Sequence, residues 1–305
     1  MIASVKRIGI VTVTYNSASV FPEFLDSIWK QTHKDYLLYI VDSGSTDGTQ
    51  ECISGISDPR ARPVIYGENI GFAAGSNLGI KMALEEHCDA VMLLNNDTVF
   101  EPELFQQLLD GLDTHKCDMT TPKMFYHDDP SKISAAGGHL NRWVGYRNRN
   151  DGEGQLDDGR FDRSRRVTFT PFCCVLIRSS VFRKIGYLDE SYFVYVEDVD
   201  YCYRAMKAGV VLTFLPSCKL WHKVSSLTGG KGSAFSIQYG TRNRVYYMFK
   251  NLSAPLAIFW TAIYGSIHYA KYLSGKDSKA IWKLKLEAIE QGARLGRSSR
   301  PSTRA

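Results

Sequence analysis

Three short polar clusters carry much of the reactive chemistry in this sequence. Thr14, Tyr15 and Asn16 close an apolar run. Asp42 and Asp47 lie in the segment Asp42-Ser43-Gly44-Ser45-Thr46-Asp47-Gly48. Asn95-Asn96-Asp97 ends a third run. Each cluster follows a strand-like segment, so carboxylates, amides and hydroxyls converge on one crevice at the carboxyl ends of the strands. A hard cation needs oxygen ligands and takes few protein carboxylates when phosphates complete its shell. Asp97, placed between a strand and Thr98, can point at such an ion. Asp42 lies deeper and can accept hydrogen bonds from a nucleobase imide or a ribose. The plainer reading of all three clusters is turn and cap chemistry, and it is strongest at Asp47-Gly48.

Two further groups lie in the second half. Glu197-Asp198-Val199-Asp200 places three carboxylates within four residues. Neighbouring carboxylates raise one another's pKa, which suits a general base. Acids at a helix start are also favoured by the helix dipole, which accounts for one or two of the three. Trp221-His222-Lys223 follows the last strand. A lone histidine is more often structural, but with Lys223 beside it a metal or phosphate role competes.

The elements that must position these groups alternate between strand and helix. Arg7–Tyr15, Tyr36–Val41, Arg62–Tyr66 and Ala90–Leu94 read as strands. Val20–Gln31, Thr49–Ile56 and Pro102–Thr114 read as helices, the first with Phe21, Phe24, Leu25 and Ile28 at helical spacing, and the glycine-rich Gly71–Gly79 leads into a helix through Glu86. This order describes an open α/β sheet. Gly137–Arg166 lacks periodicity and reads as a long loop or hairpin, and loops of that length are often functional. Thr168–Arg178 is a strand around Cys173-Cys174, Ser179–Ile185 a short helix, Tyr201–Ala208 another helix, and Val210–Leu215 a final strand.

Composition narrows the class. With 44% hydrophobic and 23% charged residues over 305 positions, the chain is a folded protein and not disordered, collagen-like or coiled-coil. Seven scattered cysteines without a CxxC argue against a disulfide framework or zinc ribbon and favour a reducing compartment. Met1–Arg7 leads straight into a strand and does not read as a signal peptide. The net charge of +5 is unevenly placed. Residues 271–305 hold nine Lys/Arg against three Asp/Glu, and the rest holds 28 against 29. A uniformly basic nucleic-acid binder is therefore excluded, and a tail that meets phosphates is favoured. Asn251–Ala270 contains no formally charged residue, which is the length of a membrane span. Pro255, Ser253 and His268 interrupt it, so packing on the domain or lying in a bilayer interface fits better. Ile281, Trp282, Leu286 and Ile289 share one face of a following helix with lysines around it. A membrane-surface helix and a solvated helix packed on the core are both open there. Gly296–Arg304 reads as a disordered tail.

The motifs together resemble an inverting family 2 glycosyltransferase of the GT-A fold. More narrowly, they resemble the bacterial rhamnosyltransferase-like branch that builds O-antigen and other cell-surface polysaccharides. The matching stretches are VTYNS (Val13–Ser17), VDSGSTDGT (Val41–Thr49), NIGFAAGSNLGI (Asn69–Ile80), LLNNDT (Leu93–Thr98), GYLDESYFVYVEDVDYCYR (Gly186–Arg204) and WHK (Trp221–Lys223). Each is weak alone; their shared order is specific. The resemblance implies a Rossmann-like mixed sheet flanked by helices, with a C-terminal helical extension. It divides the chain into a catalytic domain over 1–250 (a nucleotide-sugar half over 1–115 and an acceptor half over 116–250), a helical extension over 251–295 and the tail.

It also implies roles. Thr14, Tyr15, Asn16 and Asp42 would hold the base and ribose of a nucleotide, with help from Asp47, and Asn77 would line the nucleotide-sugar site. Asn95-Asn96-Asp97 stands where the family has its DxD-type motif, with Asp97 as ligand of Mg²⁺ or Mn²⁺. Asn95 replaces the first aspartate, which leaves Asp97 as the main carboxylate. Asp198, beside Glu197, would be the general base. His222 would be a second metal or phosphate ligand, and Lys223 would neutralise the diphosphate. Cys173 and Cys174 would form the pocket floor. Arg142, Trp143, Tyr146 and Arg147 would belong to an acceptor-side element. The implied donor is a nucleotide-diphosphate sugar such as dTDP-rhamnose, and the acceptor a glycan or polyprenyl-diphosphate-linked sugar. The implied location is the cytoplasmic face of the inner membrane, with peripheral contact through the aromatic and basic extension; a homodimer stays open. The rival readings are a nucleotidyltransferase, which should carry a basic glycine-rich segment where VTYNS stands, and a non-catalytic nucleotide-sugar or glycan-binding module, which would not need Asp198.

Overall fold

The computed structural model describes residues 6–223 and 232–299. The first half follows the expected alternation. It runs β1 (Ile8–Thr14), α1 (Phe21–Trp29), β2 (Tyr36–Ser43), α2 (Thr49–Ser54), β3 (Ala61–Tyr66), α3 (Gly71–Glu85), β4 (Ala90–Leu94), β5 (Thr98–Phe100) and α4 (Leu104–Thr114). The second half continues with β6 (Met119–Tyr126), β7 (Ile133–Ala135), the hairpin β8 (Gly138–Asn141) and β9 (Arg147–Asn150), β10 (Arg165–Val167), β11 (Cys174–Arg178), α5 (Ser179–Ile185), α6 (Glu197–Lys207) and β12 (Leu212–His222). It ends in α7 (Ala234–Asn251), α8 (Ala254–Leu273) and α9 (Lys279–Ser298).

One mixed sheet runs β10-β12-β6-β11-β4-β1-β2-β3, with β5 joined to β12 and β7 to β6. β1, β2, β3 and β4 are parallel neighbours, whereas β11 is antiparallel to both β4 and β6. The expected nucleotide and acceptor halves therefore share one sheet. The chain moves outward from β1 to β3 and returns to β4 on the other side of β1. That reversal leaves a crevice above the ends of β1 and β4, where open α/β sheets bind ligands. Both faces are covered. Ile8, Ile10, Leu38, Ile40, Met92 and Leu94 pack towards α1 and α4, while Val11, Tyr39, Val91, Leu93 and Ile177 pack in a second core with residues of α3, α5, α6 and α7. Burial on both faces explains why these strands read as apolar runs without alternation.

Several elements differ from the sequence expectation. β6 has no counterpart in it: its MTTPKMFY carries Pro122 and Lys123, yet the strand is buried almost throughout. Lys123 is 1% exposed and is accommodated by Asp157 and Asp162 at 2.8 and 2.6 Å. β12 runs past Pro216 to His222 through a register shift between Leu215 and Lys219. α6 begins at Glu197, not Tyr201, so all three acids fall in its first turn. Gly296–Ser298 belong to α9 and are not part of a disordered tail; residues from 300 onward, like Met1–Val5 of the N-terminal reading, lie outside the described residues.

The C-terminal helices pack in different ways. Among the described residues, no helix is long and apolar enough to cross a membrane. α9 packs on α7 at very short range: a Cβ at Gly292 would lie 2.2 Å from the Arg242 carbonyl oxygen, and one at Gly296 2.3 Å from Phe249 Cβ. One face of α9 is thus core. α8 is different, since Leu256, Ile258, Phe259, Ile267 and Leu273 are each half exposed or more.

Candidate active site

A cleft of about 850 Å³ opens at the crevice above β1 and β4. One wall is made by Val13, Tyr15, Ser43, Asn69, Asn95, Asn96 and Asp97. The other is made by Phe169, Phe172, Cys173, Phe193, Tyr195, Glu197, Asp198 and Phe235, with Asn148 and Asn150 of β9, and His222 closes one end. Of the residues expected from the sequence, Tyr15, Asn95, Asn96, Asp97, Glu197, Asp198 and His222 meet here.

The first wall, where the sequence reading sets the donor, rests on a network of satisfied polar groups. Asp42 is fully buried, and its carboxylate accepts four hydrogen bonds: from the Thr14 hydroxyl (2.8 Å), the Ser45 amide (3.0 Å) and hydroxyl (2.5 Å), and Gln50 Nε2 (2.9 Å). The Asn16 side-chain oxygen accepts from the Thr46 amide at 2.8 Å. These bonds lash the end of β1 to the end of β2. Asn96 does the same for β4, donating to the Val13 carbonyl at 2.9 Å and to Ser17 Oγ at 3.0 Å. Asn69 and Ser43, to which the sequence reading assigns no role, are linked at 3.1 Å, and Ser43 Oγ accepts from the Ile70 amide at 2.8 Å.

Other expected donor-site residues do not line the cleft. Thr14, Asn16 and Asp42 stand behind its wall. Asp47 is exposed and caps α2, accepting from the Thr49 amide and hydroxyl and from the Ala18 amide. Asn77 is buried in α3 with its whole amide engaged: Nδ2 donates to the Leu188 carbonyl and Glu190, and Oδ1 accepts from the Leu188 amide. Asn77 therefore anchors the segment before α6. Lys223 Nζ is paired with Glu23, outside the lining.

Asp97 and His222 form the ionic end of the cleft. His222 Nε2 lies 3.1 Å from Asp97 Oδ1, and both residues are largely buried. Burial alone would disfavour the imidazolium, but Cys173 and Asp97 outweigh it and raise the His222 pKa well above its usual value. The pairing is fixed by strand register, since His222 of β12 lies opposite Thr98 of β5, and the Lys223 amide donates to the Asp97 carbonyl at 2.9 Å. A carboxylate oxygen beside an imidazole nitrogen is a donor set that suits Mn²⁺ and tolerates Mg²⁺. Among the described residues no group of three or more His, Cys, Asp or Glu gathers as a metal site. A cation here would need further oxygens from a ligand. Cys173 lines the cleft beside this end and Cys174 is fully buried, its thiol pKa pushed far up by burial.

The opposite wall is built on strain. Phe193, Tyr195 and Val196 all have positive φ (64°, 69° and 73°) immediately before Glu197. For a β-branched residue such as Val196 this is a genuine outlier, and such strain persists only where surrounding structure over-determines it. The turn delivers Glu197 and Asp198 to the cleft at the start of α6. Glu197 is 7% exposed, and among the described residues its Oε2 has no hydrogen-bond partner. Burial, then the Asp198 charge, pushes its pKa well above the usual carboxylate range. Asp198 is partly open to the cleft but crowded by protein on its other sides. Burial raises its pKa to about 6, against the opposing effect of the Val199 amide, which donates to Oδ1 at 2.7 Å. Asp200 is instead structural: fully buried, it accepts from Tyr192, Arg204, Lys250 and Asn251.

The expected acceptor element is the β8–β9 hairpin, but its residues divide. Asn148 and Asn150 reach the cleft. Trp143 sits at the outer tip, 74% exposed, with the Arg142 guanidinium over its ring at 4.4 Å. Tyr146 packs edge-on against Tyr203. The Arg-Asn-Arg-Asn alternation of β9 was the available signal, since period two sends both asparagines to one face.

The mixed sheet and its flanking helices have the GT-A fold, with the cleft at the strand ends. Residues 9–186 match the model of glycosyl transferase family 2, and the chain belongs to that family. An N-acetylglucosaminyl-diphospho-decaprenol L-rhamnosyltransferase of Mycobacterium tuberculosis is 29% identical over 238 residues, covering 72% of this chain and 77% of the relative. The dTDP-rhamnosyl transferase RfbF of Shigella flexneri is 21% identical over 284 residues, covering 90% of each. Among solved structures, GalNAc-T7 with UDP, GalNAc and Mn²⁺ matches 96% of this chain and 57% of its own, with a TM-score of 0.66 at 13% identity. At that identity the likeness speaks to the fold alone.

Proposed function

We propose that this glycosyltransferase moves a sugar from a nucleotide-diphosphate donor, with dTDP-rhamnose as the leading donor, to a polyprenyl-diphosphate-linked sugar, inverting the anomeric centre. The step would serve O-antigen or other cell-surface polysaccharide synthesis. The observation that carries the reading is the pair of unlike acidic centres facing one cleft: Asp97 with His222 at one end, and Glu197 with Asp198 on the far wall. The relatives' names support the donor and the acceptor class.

The nucleotide would lie against Tyr15, Ser43 and Asn69, with Thr14, Asn16 and Asp42 as the rigid backing of that wall. Asp97 and His222 would hold a Mg²⁺ or Mn²⁺ ion, and Asn95 and Asn96 flank it. Such an ion, when bound, offsets the charge of the diphosphate as it leaves. Asp97 and Asp198 both face this cleft, so an anionic donor needs that compensation.

Proton transfer falls to the strained turn. Neighbouring carboxylates whose environments push their pKa values apart take different roles. Burial and the Asp198 charge push Glu197 up and favour its protonated form; Asp198, raised to about 6, can ionise at neutral pH and accept a proton. The acceptor hydroxyl gives its proton to Asp198, its oxygen bonds to the anomeric carbon, and the carbon–oxygen bond to the diphosphate breaks. One displacement inverts the centre. The acceptor sugar would rest between Phe193, Tyr195 and Phe235 and the amides of Asn148 and Asn150.

The exposed apolar side of α8, next to the basic α9, would rest on the cytoplasmic leaflet that carries the lipid-linked acceptor. Cutting the chain near Lys250 cannot test this, because α9 is packed into α7. Phe259→Asp with Leu273→Asp should abolish cosedimentation with anionic vesicles and spare the fold; unchanged cosedimentation would remove that role from α8.

The reaction is tested by offering a panel of nucleotide sugars with a synthetic polyprenyl-diphosphate N-acetylglucosamine and reading products by mass spectrometry. A mass gain of one deoxyhexose with release of a nucleoside diphosphate is expected. Release of pyrophosphate from a triphosphate would favour a nucleotidyltransferase, and binding without turnover a non-catalytic module.

A further inference from the structure

The turn that carries Glu197 and Asp198 is held by a residue on a distant helix. Asn243 lies in the middle of α7 and is fully buried. The two N–H groups of its Nδ2 reach three carbonyls of the turn, one hydrogen being shared: Tyr192 (2.8 Å), Val194 (2.7 Å) and Tyr195 (2.8 Å). Its Oδ1 accepts from Arg242 Nε at 2.8 Å, so the amide is fixed at both ends. Arg242 adds two bonds from its guanidinium to the Ser191 and Tyr192 carbonyls, each at 2.9 Å.

The same turn is gripped from the other side by α3. The Ala73 amide donates to the Phe193 carbonyl at 3.1 Å, and a Cβ at Gly71 would lie 2.5 Å from the Phe193 ring. Three positive-φ residues in four positions are strained and relax unless such contacts hold them. A buried amide with every polar atom used is a rigid support for that geometry.

We infer that Asn243 is a positioning residue for the transfer reaction, setting the aim of Asp198 through the turn Tyr192–Val196. The inference rests on the reading of Asp198 as the base. It also makes α7 part of the active site, and α9, packed on α7 through Gly292 and Gly296, its brace.

The test compares Asn243→Ala, Arg242→Ala and Asp198→Asn in one steady-state transfer assay, with thermal melting and nucleotide titration on each. Asn243→Ala should lower kcat by about 100-fold, the cost of misplacing a reacting group by an ångström. Its donor KM and nucleotide Kd should stay near the wild-type values, because Tyr15, Ser43 and Asn69 do not depend on hydrogen bonds from Asn243. Arg242→Ala should show the same split with a smaller loss, and it decides the matter if Asn243→Ala does not fold. Unchanged kcat, or kcat lost only in proportion to folded protein with donor KM rising alongside, overturns the inference. Activity surviving in Asp198→Asn would overturn the underlying reading instead. An inactive Asp198→Asn beside a fully active Asn243→Ala would overturn only the role of Asn243.

Discussion

Asp42 and Glu197 stand behind or within opposite walls of one cleft, both almost completely buried, and they are treated in opposite ways. Asp42 accepts four hydrogen bonds and binds two strand ends together. Glu197 has a carboxylate oxygen that no donor among the described residues satisfies, and it follows a turn with three strained residues. An unsatisfied buried acid costs stability, whereas a saturated one contributes to it. Under the proposed function, the difference would separate a wall that stays rigid to bind a nucleotide from a wall that keeps a carboxylate ready for a proton.

Four outcomes would sharpen or break this contrast. The largest concerns the reactive wall. Asp198→Asn should reduce kcat by about 10²–10⁴-fold, the usual contribution of a general base, with nucleotide Kd unchanged in titration calorimetry. A parallel loss of nucleotide affinity would mean that the walls do not divide the work. Next, Asp97→Ala should weaken donor binding by roughly 1.5–3 kcal/mol and blunt any response to Mn²⁺ or Mg²⁺. Donor affinity that is unchanged and indifferent to EDTA would argue against an ion at Asp97. Third, kcat/KM should fall as pH drops below about 6, because Asp198 must be ionised to accept a proton. A flat acid limb down to the ordinary carboxylate range would remove Asp198 from the step.

The smallest effects are on stability, and they should have opposite signs. Asp42→Asn should destabilise the fold by about 1–3 kcal/mol, since an amide cannot accept four donors. Asp198→Asn should melt higher than wild type at pH 8 by about 2–4 °C. The sign follows from linkage: a carboxyl whose folded pKa is raised binds its proton more tightly in the fold. That stabilisation is full below the ordinary carboxylate range and is lost as pH climbs through about 6. The advantage of the Asp198→Asn variant should therefore vanish near the ordinary carboxylate range, where the wild-type carboxyl is protonated as well. Both variants destabilising alike across pH would erase the contrast between the walls.

The division also marks what could be read in the sequence. β4 over Ala90–Leu94 and α5 over Ser179–Ile185 have the expected bounds, because local apolar pattern and turn residues decide them. Asp97 and His222 meet in one cleft because a strand end and register place them there, while Asp198 reaches it at the start of α6. The network around Asp42 was not legible in detail: whether a buried aspartate faces a ligand or its own turn depends on which hydroxyls and amides surround it. Asn77 lies away from the cleft for the same reason: its glycine-rich segment is helical in α3, and its partners Leu188 and Glu190 lie 111 and 113 residues away. β6 was obscured by Pro122 and Lys123, which only tertiary partners make tolerable. The strained turn and Asn243 left no sequence signal, since positive φ in Tyr195 and Val196 runs against local preference and is imposed by α3 and α7.

The central claim is a single displacement in which Asp198 removes a proton and forms no bond to sugar. The most direct measurement is the anomeric configuration of the newly formed linkage, read from one-bond carbon–proton couplings in the NMR spectrum of the isolated product and set against the donor. An inverted centre is predicted. A retained centre would require a covalent intermediate or an ion-pair route and would contradict the role assigned to Asp198.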